Sequence, residues 1–158
     1  MKSLVVYYSR TGTTKIVGDD LPNELGADVE EVIDKKKRSG SIGYIISGKD
    51  ASQKKLTELE ELKHDPTQYD VVIIGGPVWA CKMAPAIRTY IENNKSKIKN
   101  CAVFMTCGSL KNEVLKEMQE AMGKNAIAKL GLETKEVRGK KHIEKLIKFV
   151  KVIQKNLK

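Results

Sequence analysis

Histidine is nearly missing from this chain, with only His64 and His142, and the three cysteines, Cys81, Cys101 and Cys107, have no CxxC spacing. That inventory is too thin for a cysteine-rich zinc site or a disulfide framework. Long apolar runs are lacking too, since the longest, such as Leu4–Tyr8 and Val71–Ile74, fall far short of the ~20 residues of a membrane span. Lys2 leads straight into Leu4–Tyr8 and the polar Ser9-Arg10-Thr11, without an apolar stretch of signal-peptide length or a small-residue cleavage site. The expected location is therefore cytoplasmic. Carboxylates are in deficit: 20 Asp and Glu stand against 29 Lys and Arg, a net charge of +9. Such an excess bears on partners and not on fold.

Several functional motifs are missing as well. There is no GxGxxG fingerprint and no GxxxxGK(S/T) loop, which argues against a tightly bound dinucleotide and against triphosphate hydrolysis. A receiver domain needs acidic residues at the end of its first strand, where Tyr7-Tyr8-Ser9 has none. Cys81 and Arg88 lie seven positions apart with Pro85 between them, the wrong spacing for a thiol phosphatase loop, so Cys81 is expected to be an incidental thiol on a loop. Both histidines have polar or basic neighbours and are expected at the surface.

What is present suits one domain spanning residues 1–158. Near-continuous apolar runs at Leu4–Tyr8, Val71–Ile74 and Cys101–Met105, with a weaker one at Val29–Ile33, read as strands covered on both faces. Helical spacing relates Met83, Ile87, Tyr90 and Ile91, then Val114, Leu115, Met118 and Met122, and finally the stripe from Ile143 to Leu157 within His142–Lys158. Glu133–Val137 is expected as a fifth strand after a turn at Gly131-Leu132. Lys35–Lys49, basic and then rich in Gly and Ser, is expected as a long surface loop, followed by a short helix over Ala51–Leu62. Pro22, inside the first helical segment, predicts a kink or an early end there. Alternating strands and helices imply an α/β fold, a parallel sheet with helices on both faces.

Chemistry concentrates in three loops that follow strands. Ser9-Arg10-Thr11-Gly12-Thr13-Thr14 lies between the first strand and the first helix, where free backbone N–H groups and the helix dipole suit a phosphate. The hydroxyls could add donors, or could simply cap the helix. Pro77-Val78-Trp79-Ala80 follows the third strand, and Thr106-Cys107-Gly108-Ser109 the fourth. In an open α/β sheet such loops meet in one crevice. Trp79 could stack on a planar ligand there, or fold back as a hydrophobic plug.

Taken together, the Ser9–Thr14 loop, the segment Tyr69–Trp79 and the continuation Ala84–Ile91 resemble the flavodoxin-like family of flavin mononucleotide (FMN) proteins. The resemblance implies a three-layer αβα sandwich with a five-stranded parallel sheet in order 2-1-3-4-5. It also implies that Ser9, Arg10, Thr11, Gly12, Thr13 and Thr14 hold the FMN phosphate, and that Pro77–Ala80 and Thr106–Ser109 contact the flavin ring. The implied function is electron transport as a flavodoxin-type carrier between protein partners. The alternative is an NAD(P)H-dependent reductase in which a nicotinamide reduces a quinone or other small acceptor. Well-studied flavodoxins are acidic near this site, whereas Lys82, Arg88 and Lys111 flank these loops, so an acidic redox partner is expected. A basic nucleic-acid-binding module is the competing class, built on Lys35–Arg38, Lys140-Lys141 and the carboxyl-terminal lysines. The aromatic residues do not interleave with those cations as stacking single-strand binders require, which makes nucleic acid an unexpected partner.

Overall fold

The computed structural model describes residues 1–109 and 113–157. Five parallel strands form the sheet: β1 (Ser3–Tyr7), β2 (Asp28–Glu31), β3 (Val71–Trp79), β5 (Asn100–Cys107) and β6 (Lys129–Glu133), in the order β2-β1-β3-β5-β6. A two-residue strand, β4 (Lys82–Met83), pairs antiparallel with the end of β3. Counting only the parallel strands, this is the expected 2-1-3-4-5 order.

The pleat sends alternate residues to opposite faces, and both faces are covered. Leu4, Val6, Val72, Ile74 and Val103 pack with α3 (Pro85–Asn94) and α4 (Glu113–Met122). Val5, Tyr7, Val71, Ile73 and Phe104 pack with α1 (Thr13–Leu25) and α6 (Ile143–Asn156). Gly75 permits the closest approach in the sheet, because a Cβ there would lie 1.9 Å from the Phe104 ring. No helix among the described residues is long and apolar enough to cross a membrane.

Four expectations fail, each for a physical reason. Lys35–Lys49 is not a loop, because Gly40–Ser52 forms helix α2, whose buried residues are Gly43, Ser47, Asp50 and Ala51. That inward face is made of small and polar residues, so it leaves no apolar stripe in the sequence. Ala51–Leu62 is not a helix. Past α2 the chain turns at Lys54 (φ 53°) and runs extended beside residues 33–35, with Lys35 N–H donating to Glu58 O at 2.9 Å and Glu60 N–H to Ile33 O at 2.9 Å. The fifth parallel strand is Lys129–Glu133 rather than Glu133–Val137, since Gly131 lies in the strand and Thr134–Arg138 coils into the short helix α5. His142 is buried at 1% exposure with Nε2 2.9 Å from Asp20 Oδ2, which ties the start of α6 to α1.

His64 is likewise held, with Nδ1 2.9 Å from the buried Glu30 carboxylate. Helix α1 continues past Pro22 to Leu25, with Pro22 in its last turn, where Pro22 O accepts the Gly26 N–H at 2.7 Å.

Candidate functional site

The first loop owes its shape to Gly12. Its φ of 92° is left-handed, a conformation that a side chain would strain, and it places Gly12 as the residue preceding α1. Gly12 N–H donates to Ser9 Oγ at 3.1 Å, which closes the turn on itself. The first intrahelical bond runs from Ile16 N–H to Gly12 O at 3.1 Å, so the amides of Thr13, Thr14 and Lys15 precede it. No side chain caps the helix. Such an end favours an anion by geometry and dipole together.

Thr14 is buried, and its hydroxyl lies 2.7 Å from that of Thr106, near the end of β5. This contact joins the first loop to the third. Thr134, at the start of α5, donates its hydroxyl to Cys107 O at 3.1 Å and fixes the same strand end from the other side. Buried Cys107 points its thiol at Leu132 O, 3.8 Å away.

The second loop is the β3–β4 hairpin. Its turn residues, Ala80 (φ 46°) and Cys81 (φ 58°), are both left-handed without being glycine, which costs energy and is commonest at functional sites. Trp79 stands edge-on to Tyr8, with ring centroids 5.6 Å apart, and the Arg38 guanidinium lies 5.7 Å from its ring. Burial pushes the Tyr8 hydroxyl up to about 12, with Asp34 adding to the shift. Arg38 is itself buried between Asp34 (2.6 Å) and Asp50 (3.0 Å). Burial opposes its charge, but the two carboxylates outweigh that and raise its pKa. Asp50 shows the mirror effect, as Lys36 and Arg38 overcome the burial cost and lower its pKa.

One cleft of about 230 Å³ is lined by Ser9, Arg10, Thr11, Thr13, Thr14, Pro77, Val78, Trp79, Thr106, Cys107 and Gly108. The three segments named from sequence therefore converge, although Pro77–Trp79 and Thr106–Cys107 are the last residues of β3 and β5 and not loops beyond them. Gly12 shapes the cleft without lining it, Ala80 lines an adjoining recess, and Ser109 is exposed beyond both. Arg88 is not a rim cation: it is buried and paired with Glu117 of α4, which also accepts Met83 N–H at 3.0 Å. Lys111 lies outside the described residues.

Two lining residues escaped the sequence reading, Tyr44 and Thr134. Tyr44, on α2, lies 5.2 Å from the Arg10 guanidinium, which in turn donates to Arg38 O at 3.0 Å. The i, i+4, i+8 spacing of Gly43, Ser47 and Ala51 was the available signal for α2, legible only if small residues are allowed to make a buried face.

The arrangement suits a ligand with an anionic end and a planar body. Hydroxyls and free amides gather at the α1 end of the cleft, and an aromatic ring and a strained hairpin stand at the other. Carboxylates are absent from residues 8–18, 35–49 and 77–91. No cluster of His, Cys, Asp and Glu among the described residues could hold a metal ion.

Comparison with known families finds a match to the flavodoxin family over residues 2–152. Among solved structures, the fold is similar to a flavoprotein from Lactobacillus acidophilus in complex with FMN, at TM-score 0.69 and 24% identity, covering 87% of this chain and 97% of that one. It is similar to oxidised flavodoxin 1 from Bacillus cereus, at TM-score 0.55, 19% identity and 98% of each chain. A third likeness, to rubredoxin oxygen:oxidoreductase from Desulfovibrio gigas, has TM-score 0.62 and 19% identity and covers 99% of this chain but 36% of that one. A search of curated proteins finds no match.

Proposed function

The chain belongs to the flavodoxin family, and on that premise we propose that it binds FMN and carries electrons between protein partners in the cytoplasm. The observation that carries the reading is the buried Thr14–Thr106 hydroxyl contact at the junction of the first and third loops, beside the uncapped start of α1. Hydroxyls of Ser9, Thr11, Thr13 and Thr14, with the amides of Thr13, Thr14 and Lys15, fit a phosphate group without a dedicated lysine. Pro77–Ala80 and Thr106–Ser109 fit the two sides of a planar ring, with Trp79 against it.

Bound FMN supplies the redox chemistry, and the polypeptide binds, orients and electrostatically tunes it. Arg10 lines the cleft and Lys82 pairs with Trp79 across the β3–β4 hairpin, and their positive charge favours negative charge on a bound ring and suits an acidic redox partner. Among the described residues that line the cleft there is no Asp, Glu, His or Lys.

An absorption spectrum of the purified protein, with the mass of any released chromophore, tests the cofactor. Flavin bands and the mass of FMN are expected, and a colourless protein that takes up no added FMN overturns the reading. Trp79 is the only tryptophan, so its fluorescence is expected to fall as FMN binds. Unchanged emission at saturation would remove Trp79 from the ring site. Steady-state assays with NADH or NADPH and a quinone are expected to show little turnover. Rapid turnover would favour the reductase.

A further inference from the structure

Helix α2 packs its small residues inward and leaves apolar ones outward: Ile42, Tyr44 and Ile45 are 74%, 65% and 69% exposed. Isolated exposed apolar residues are ordinary, but three on one helix beside a recess mark an interaction surface. The recess, of about 440 Å³, lies between α2 and Val78–Ala80, and it shares Tyr44, Val78 and Trp79 with the cleft. The exposed charges of the two segments that form it are of one sign. Lys37 and Lys49 are exposed on the same segment, and α2 touches β4, which bears Lys82. Neither residues 35–49 nor 77–91 contain Asp or Glu. The carboxylates nearest in sequence, Asp34 ahead of α2 and Asp50 within its last turn, are buried against Arg38 and Lys36 and present no negative charge to a partner.

An apolar centre ringed by cations is complementary to a protein with an apolar anchor ringed by carboxylates. Building on the electron-carrier reading, we infer that this face docks an acidic electron-transfer protein, which seats an apolar side chain in the recess and sets its carboxylates against Lys37, Lys49 and Lys82. Docking there brings the partner to Trp79, the residue that also borders the cleft.

The probe is an acidic [2Fe–2S] ferredoxin, used in two measurements on the full chain. Stopped-flow mixing of reduced ferredoxin with FMN-loaded protein reads electron exchange, and titration calorimetry with oxidised ferredoxin reads docking without any transfer. The double variant Lys37→Glu, Lys49→Glu is expected to slow exchange by about tenfold or more at low salt, with the difference fading as salt is raised. The variant Ile42→Ser, Ile45→Ser, which changes only exposed side chains, is expected to weaken docking several-fold at low and high salt alike. The variant Lys151→Glu, Lys155→Glu, equal in charge but on α6, is expected to match wild type.

Equal slowing by the α6 variant would mean that net charge alone acts, and would overturn the inference. So would wild-type docking by the α2 isoleucine variant, or wild-type protein that sediments as a dimer dissolved by that variant, since a second copy would then cover the face. A chain that takes up no FMN but binds ferredoxin through α2 would sink the electron-carrier reading and leave the docking surface standing.

Discussion

The first loop and the segment from Asp34 to His64 border the same cleft, yet they are ordered by opposite means. Ser9–Thr14 is shaped by backbone: one left-handed glycine, a closed turn and a helix start. The segment is shaped by buried charge. Arg38, Asp34 and Asp50 have side chains 2%, 2% and 5% exposed, Thr57 donates its hydroxyl to Asp34 at 2.7 Å, and Glu30 accepts the amides of Lys63 and His64 at 2.8 Å each. A backbone device is written in adjacent residues and survives the loss of most single side chains. An ionic device joins residues that are not adjacent in sequence, from four positions apart for Asp34 and Arg38 to 34 for Glu30 and His64, and fails when one member is removed.

That contrast predicts its own largest effect. Arg38→Ala leaves buried Asp34 without its cation and Asp50 with only Lys36 and Lys55, both about half exposed, and should cost roughly 3–5 kcal/mol, read as a lower urea midpoint. Replacing all three members by apolar residues, Asp34→Leu, Arg38→Met and Asp50→Leu, should recover most of that loss, because desolvation offsets much of what a buried ion pair contributes. A cost below about 1 kcal/mol for Arg38→Ala would break the comparison, since the segment would then be held by something other than charge.

On the loop side the expected loss appears in affinity. Thr14→Ala should weaken FMN by roughly 1.5–3 kcal/mol, the range for a hydrogen bond to a charged group, and Thr11→Ala by a similar amount. Fluorescence titration measures both, and unchanged affinity in both would remove the phosphate from this loop. Riboflavin, which has no phosphate, should bind far less well than FMN.

Acid sharpens the difference further. The folded state lowers the Asp50 pKa, so at acidic pH it binds fewer protons than the unfolded chain. The stability this provides is complete above the ordinary carboxylate range and is lost as pH falls through that range toward the lower folded value. Urea midpoints taken from about pH 6 down to pH 2 should therefore fall less steeply in Asp50→Asn than in wild type. A parallel pair of curves would deny Asp50 that role.

The smallest expected effect is a gain. Ala80→Gly relieves a left-handed φ of 46° and should stabilise by about 1 kcal/mol or less, because the greater freedom of glycine in the unfolded chain cancels part of the relief. A rise in Tm of about 2–4 °C or less is the readout. A fall in Tm would mean that the Ala80 methyl contributes more than its backbone strain costs.

The same division explains what could be read from sequence. The central strands were legible because burial on both faces leaves continuous apolar runs, as at Val71–Ile74 and Cys101–Met105, and their order followed from the family resemblance. The three site segments were legible because each lies just past such an apolar run, Ser9–Thr14 beyond β1 and the other two starting in the last residues of β3 and β5. Helix α2 was not, since its inward face is Gly43, Ser47, Asp50 and Ala51, and Asp50 is at home there because Lys36 and Arg38 stand beside it. The basic run Lys35–Arg38 looked uniformly solvated, although Arg38 is buried. His142 misled in the same way, because its partner Asp20 lies 122 residues away in the chain. Strand β6 was missed by a few residues because Gly131 reads locally as a turn.

The position of β2 has a consequence for how copies of this chain behave together. An outermost strand offers unpaired amides and carbonyls to any other chain in solution, and long apolar edges seed fibrils. Here that edge is four residues long, and three of the four are acidic: Asp28, Glu30 and Glu31. Residues 63 and 64 are tied to it through Glu30, the Tyr69 hydroxyl donates to Asp28 at 2.8 Å, and the chain just beyond the strand is paired with residues 58–60. The stretch from Lys55 to His64, which lines neither the cleft nor the recess, thus has a use of its own. It shields the flank of the sheet against strand addition, and deleting it should yield a protein that forms thioflavin-binding aggregates at concentrations where the full chain stays clear.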